Sequence, residues 1–196
     1  MTEWRGLLLV IHLLSTMMMA APFYMLVIVN ERARFGVPLG YYTDRFMENI
    51  IRNNAVRCFI FQGTMLASGL ALTFVAGYGW EALFTNPALI TKWVALLTMV
   101  GLLSVVHFNL QPRIEALMEQ VKPGTPVPDG LAPQIARLRI RRKRLSAVCL
   151  SLVLIALIMG LRVTFAFNLY LAIGLCAVAV IYAWRVYKRP VYLGWV

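Results

Sequence analysis

The chain has 196 residues, of which 61% are hydrophobic and 14% charged, and a formal net charge of +11. Soluble domains run near roughly 45–50% apolar and about 25% charged, so this chain has too little polar surface to cover a water-exposed globule. Composition therefore excludes disorder, a disulfide-stapled secreted scaffold and a free-standing nucleic-acid-binding domain, and it asks for a membrane explanation of the basic charge.

A helix that crosses a bilayer needs about 20 mostly apolar residues. Five such stretches occur in chain order: 7–29, with His12 as its only ionisable residue; 58–77; 88–110, which contains Lys92 and His107; 145–163, which ends at Arg162; and 167–184. The expected fold is all-α, a polytopic bundle of five transmembrane helices forming one membrane domain over residues 1–196. One helix running through both of the last two stretches would be about 55 Å long, too long for one crossing, so a tight hairpin is predicted around residues 164–168. Ala20-Ala21-Pro22 faintly resembles a processing site, but the apolar run continues through Val29, so the first stretch reads as a retained helix.

Lys and Arg gather on the cytoplasmic side of membrane proteins. The link 30–57 holds five basic residues, the link 111–144 holds eight, and the tail adds Arg185, Lys188 and Arg189. Only Arg5 and Arg162 fall on the other side, with Lys92 inside a span. This pattern puts the N-terminus outside, the C-terminus and both long loops in the cytoplasm, and the protein in the inner (cytoplasmic) membrane. Within the first loop Phe46, Met47, Ile50 and Ile51 recur at helical spacing, as in an interfacial helix. The second loop bends at the Pro/Gly-rich stretch 122–130 and ends in a run from Arg137 to Arg144. That run reads as a topology determinant that attracts anionic lipid, and no nucleic acid is expected as a partner.

Cys58, Cys149 and Cys176 have no metal-ligand spacing and read as small buried apolar residues. Met17, Met18 and Met19 point in three directions around a helix and cannot converge on one copper ion. Ionisable residues inside spans are functional candidates. Counting about 1.5 Å per residue from each span's midpoint puts His12 about 8–9 Å and Lys92 about 10 Å to the outer side, and His107 about 12 Å to the inner side. The histidines are then about 20 Å apart in depth and cannot clasp one haem iron between them. His12 and Lys92, with Arg162 near the same surface, form the candidate site. A neutral imidazole at His12 is suited to ligate a metal, the iron of a b-type haem, and Lys92 and Arg162 to neutralise propionates, Lys92 also being able to approach the metal. The alternatives are a helix-to-helix hydrogen bond for His12 and snorkelling for Lys92 and His107.

The segments Leu9-Val-Ile-His12-Leu-Leu, Thr91-Lys92-Trp93 and Val106-His107, with Arg113 just after, resemble the superfamily of CopD-like proteins and the HemJ-type protoporphyrinogen oxidases. In HemJ-type members a histidine of the first helix and a lysine of the third bind b-type haem, which the resemblance carries over to His12 and Lys92. It covers roughly the first three spans, and the first helix lacks the Pro-Arg element usual after the aromatic residues of HemJ-type members. The expected function is haem binding in the outer half of the bilayer for redox or electron transfer. The alternatives are a HemJ-like oxidase and a non-enzymatic accessory subunit or copper-handling protein. Small residues at Gly63, Ala67, Gly69 and Gly77, and at Gly174, Ala177 and Ala179, would serve packing against other subunits, a homo-oligomer or the chain's own helices. No hydrolase elbow, phosphate loop or HExxH motif is present, so the sequence leaves enzymatic activity open.

Overall fold

A computed structural model describes residues 2–34 and 38–189, and all regular structure among them is helical. Helix α1 (Thr2–Glu31) leads through a 3-10 turn (Arg32–Arg34) to α2 (Tyr41–Ile51), and α3 (Asn54–Val75) follows. After the short α4 (Ala82–Thr85) come α5 (Pro87–Val105), a π-helical segment (Val106–Leu110), α6 (Gln111–Met118), α7 (Leu131–Phe165) and α8 (Leu169–Lys188). Five helical stretches are long and apolar enough to cross a membrane. Their outward faces carry exposed Leu, Ile, Val and Phe side chains, as contact with lipid requires.

The ends of these helices follow from local chemistry. Asn86 caps α5 by accepting a hydrogen bond from the Ala88 N–H at 3.0 Å, with Pro87 at the first turn. The α7–α8 turn is the tight hairpin expected: Ala166 closes α7 in the left-handed region (φ 48°), and Asn168 caps α8. The π segment has a cause in sequence. Pro112 has no N–H and its ring crowds the carbonyl four residues back, so the helix widens just before it, and the Gln111 N–H reaches the Val106 carbonyl.

Helix α7 is the axis of the bundle, packing on α1, α5 and α8, while α1 also packs along α3. A core of Met19, Phe23 and Val27 from α1, Cys58 and Met65 from α3, Met99 and Leu103 from α5, and Leu150 and Val153 from α7 fills the middle. With 35 residues, α7 is about 52 Å long, well beyond about 30 Å of hydrocarbon. Its first turns therefore extend past the apolar layer and pack on α6 through Ile114, Met118, Leu131 and Ile135.

That extension corrects the expectation for the basic run. Arg139, Arg142 and Lys143 are buried, and only Arg137, Arg141 and Arg144 of that run are exposed. Arg142 donates to Glu48 at 2.8 and 3.0 Å, to Gln111 Oε1 at 2.6 Å and to Asn30 Oδ1 at 2.9 Å. Arg139 pairs with Asp44 at 2.6 Å and with Glu48 at 2.9 Å, while Arg32 reaches Asp44 at 2.8 Å. Lys143 pairs with Glu31 and donates to the Tyr187 carbonyl at 2.9 Å. One network thus joins α1, α2, α6, α7 and α8. It also orients α2: the carboxylates at Asp44 and Glu48, one turn apart, face α7, while Phe46 and Ile50 point outward. Burial alone would raise both carboxyl pKa values. For Asp44 the hydrogen bonds from Arg32, the Gly40 N–H and Arg139 win, and for Glu48 Arg142 and Arg139 win, so both lie below their ordinary values.

The free cysteines behave as apolar residues: Cys58 and Cys149 are buried and Cys176 is half-buried. Met17 and Met18 face outward while Met19 is in the core. A Cβ added at Gly63 or Gly174 would meet nothing within 4 Å, so these glycines are not close-packing points between the described helices.

Candidate functional site

At the end of the bundle opposite the ion-pair network, α1, α3, α5 and α7 surround a cavity of about 620 Å³. It lies where α3 and α5 make little contact with each other. Helix periodicity explains its lining. Arg5, Leu9, His12, Thr16 and Met19 recur every three or four residues and form one face of α1. Leu89, Lys92 and Leu96 do the same on α5, and Val153, Ala156 and Gly160 on α7. The wall is apolar apart from a few groups, and the basic ones are Arg5, His12 and Lys92; among the described residues no carboxylate lines it.

His12 is held from α3. Its Nδ1 lies 3.0 Å from the Ser68 hydroxyl oxygen, and Ser68 itself donates to the Thr64 carbonyl at 2.7 Å, with the Met65 carbonyl at 3.2 Å. Directly beside the ring is Gly69, where an added Cβ would come within 3.1 Å of His12 Cε1. Lys92 extends toward Gly160 of α7, where an added Cβ would stand 3.7 Å from Nζ. Among the described residues no acidic group pairs with Lys92. Each of the two polar side chains thus lies beside a glycine on the facing helix, which leaves it space without widening the bundle.

Of the residues singled out in the sequence, His12 and Lys92 line the same cavity. Arg162 does not: its neighbours Leu161 and Val163 do, while Arg162 itself is half-buried outside the lining. Arg5 lines the cavity instead, on the same face of α1 as His12. His107 lies in the π segment, where its ring meets Phe59 and Phe108 edge-on, and it has no part in the cavity. Its Nδ1 is buried with no hydrogen-bond partner among the described residues.

The sequence reading missed Arg5, Ser68 and Gly69 as site residues. Arg5 could have been found from its seven-residue offset to His12. Nothing in the sequence marks Ser68, because its role depends on which face of α3 meets α1. No group of three or more His, Cys, Asp or Glu residues able to hold a metal ion occurs among the described residues. No family model, curated protein or solved structure matches the chain.

Proposed function

We propose that the chain is a multi-pass membrane protein that binds b-type haem in this cavity, in the outer half of the bilayer, and serves redox or electron transfer. The observation that carries the reading is His12, an imidazole anchored through one nitrogen at the wall of a roomy apolar cavity that is lined by Arg5 and Lys92 and, among the described residues, by no carboxylate. A cavity of about 620 Å³ falls within the usual range for sites of small molecules and cofactors, roughly 300–1,000 Å³. An anionic, largely apolar macrocycle suits such a wall. Its apolar body would lie against Leu, Val and Met side chains, and its two carboxylates would meet Arg5 and Lys92. The resemblance of the first three spans to HemJ-type proteins points to His12 and Lys92.

His12 would hold the iron through Nε2 and Lys92 would compensate charge from α5, while the apolar wall excludes water. The haem would supply a one-electron couple that side chains alone do not provide. Exclusion of water and fixed positive groups would tune that couple, since burial and nearby charge are levers the protein has on a haem. The basic end of the bundle supports the orientation, because Lys and Arg gather on the cytoplasmic side and the cavity is at the opposite end.

The test is a reduced-minus-oxidised visible spectrum of protein purified in detergent after expression with ample haem. Wild type is expected to show b-type bands, His12→Ala to lose them and His107→Ala to retain them. A colourless wild type would overturn the reading and leave a non-enzymatic subunit role in its place.

A further inference from the structure

We propose that Ser68 and Gly69 are positioning residues for His12: Ser68 fixes the tautomer of the imidazole and Gly69 gives the ring its clearance. The inference rests on the haem reading only for its purpose, since the tautomer is a property of the chain alone.

Proton counting carries the first part. The Ser68 hydroxyl has one proton, and the acceptors near it are the carbonyls of Thr64 at 2.7 Å and Met65 at 3.2 Å. Serine inside a helix usually gives its proton to a backbone carbonyl of the preceding turn, and the 2.7 Å distance to Thr64, shorter than the 3.0 Å to His12 Nδ1, assigns the Ser68 proton there. On that assignment the lone pairs of Oγ are the partner of His12 Nδ1 at 3.0 Å, and Nδ1 carries the hydrogen. In a neutral ring this leaves Nε2 without a proton and with its lone pair available. A histidine that ligates a metal is commonly oriented in this way, by a hydrogen bond from the nitrogen not used.

Gly69 carries the second part. An added methyl there would lie 3.1 Å from Cε1 and 3.6 Å from Nδ1, and Nε2 is beyond 4 Å. The Nδ1 edge of the ring is therefore the edge laid against α3, and Nε2 is on the far side. A contact of 3.1 Å requires the ring to give by a few tenths of an ångström, and the open side is the cavity, so alanine at 69 would move the imidazole off Ser68. Gly160 is the internal comparison: a methyl there meets Lys92 Nζ at an ordinary 3.7 Å and should change little.

The experiment uses full-length protein with ¹⁵N-labelled histidine, prepared in detergent without haem at pH 8, with His12→Gln identifying the His12 signals. Wild type is expected to show His12 Nδ1 in the protonated range and Nε2 in the unprotonated range. Ser68→Ala should lower the ratio of the two tautomers at least tenfold, and Ser68→Thr, which keeps the hydroxyl, should restore it. Gly69→Ala should broaden or shift the Nδ1 signal, whereas Gly160→Ala should leave it in place. A wild-type ring protonated at Nε2, or a Ser68→Ala ring unchanged from wild type, would overturn the proposal. A haem titration follows on the same samples, where Ser68→Ala should weaken binding about 10- to 100-fold. Tautomers that behave as expected in a protein that takes up no haem would overturn the haem reading and leave the role of Ser68 standing. Haem uptake with an unmoved tautomer in Ser68→Ala would do the reverse.

Discussion

The two ends of the bundle use the same residue types in opposite ways. At the basic end Arg32, Arg139, Arg142 and Lys143 each meet a carboxylate, and the charges are packed shut between helices. At the cavity end Arg5, His12 and Lys92 line open space with no carboxylate among the described residues. A cation beside its counter-ion in a closed contact is already neutralised and holds helices together. On the proposed reading, a basic group on an apolar wall with no carboxylate among the described residues is placed to meet an anionic ligand. On that reading the first arrangement fastens helices and the second receives a ligand.

The sharpest way to break this comparison is to remove one cation from each end. Arg142→Met leaves Glu48 with one guanidinium instead of two and strands the polar groups of Asn30 and Gln111, at a residue with no exposed surface. Breaking a buried pair in this way costs about 3–5 kcal/mol, and a large fall in the melting temperature in detergent is expected. Lys92→Met should act in the other direction. It replaces an unpaired ammonium by an apolar chain of similar length, so stability of haem-free protein should rise by on the order of 1 kcal/mol. A Lys92→Met variant destabilised as much as Arg142→Met would mean that Lys92 has a structural partner and that the two ends are alike.

Acid should act on the basic end through its carboxylates. The carboxyl groups of Asp44 and Glu48 have lowered folded-state pKa values, so they contribute stability that is present above their unfolded values. Those unfolded values are about 3.9 for Asp and 4.3 for Glu. The contribution is lost as pH falls through the lower folded values. The share of the melting temperature that these two carboxylates supply is therefore expected to be constant above about pH 5 and to fall below about pH 4. Asp44→Asn should flatten part of that fall, and an unchanged acid limb would show that the network is not what holds α2 to α7.

These contrasts also show what could be read from sequence. The five spans and the α7–α8 hairpin follow from apolar run length, which is set by the helix rise and the thickness of hydrocarbon. The common level of His12 and Lys92 follows from counting along two spans that start at the same end. The ion-pair network was not legible, because Asp44 and Arg139 are 95 residues apart and their meeting depends on tertiary packing. A local signal did exist: carboxylates four apart on α2, opposite its exposed Phe46 and Ile50, match cations three and four apart on α7. Ser68 and Gly69 were illegible for the same reason, since serine and glycine are common in membrane helices and only the α1–α3 contact gives them a neighbour.

The smallest effect tests the boundary between the network and the surface. Arg141 lies between Arg139 and Arg142 in sequence, yet it is exposed where they are buried, because one helical step of 100° turns it away from α2. Arg141→Gln should therefore leave the melting temperature nearly unchanged, within about 0.5 kcal/mol, as for other surface substitutions. What it should reduce is retention of anionic lipid. An exposed basic residue near an anionic leaflet contributes about 1 kcal/mol, or roughly fivefold, which native mass spectrometry in mixed detergent and lipid can read. Arg142→Met, where it folds, should show no such specific loss, because its charge is already used inside the protein. Equal lipid loss from both would mean that the buried network and the lipid-facing stripe are one electrostatic surface, and the division between a closed end and an open one would have to be redrawn.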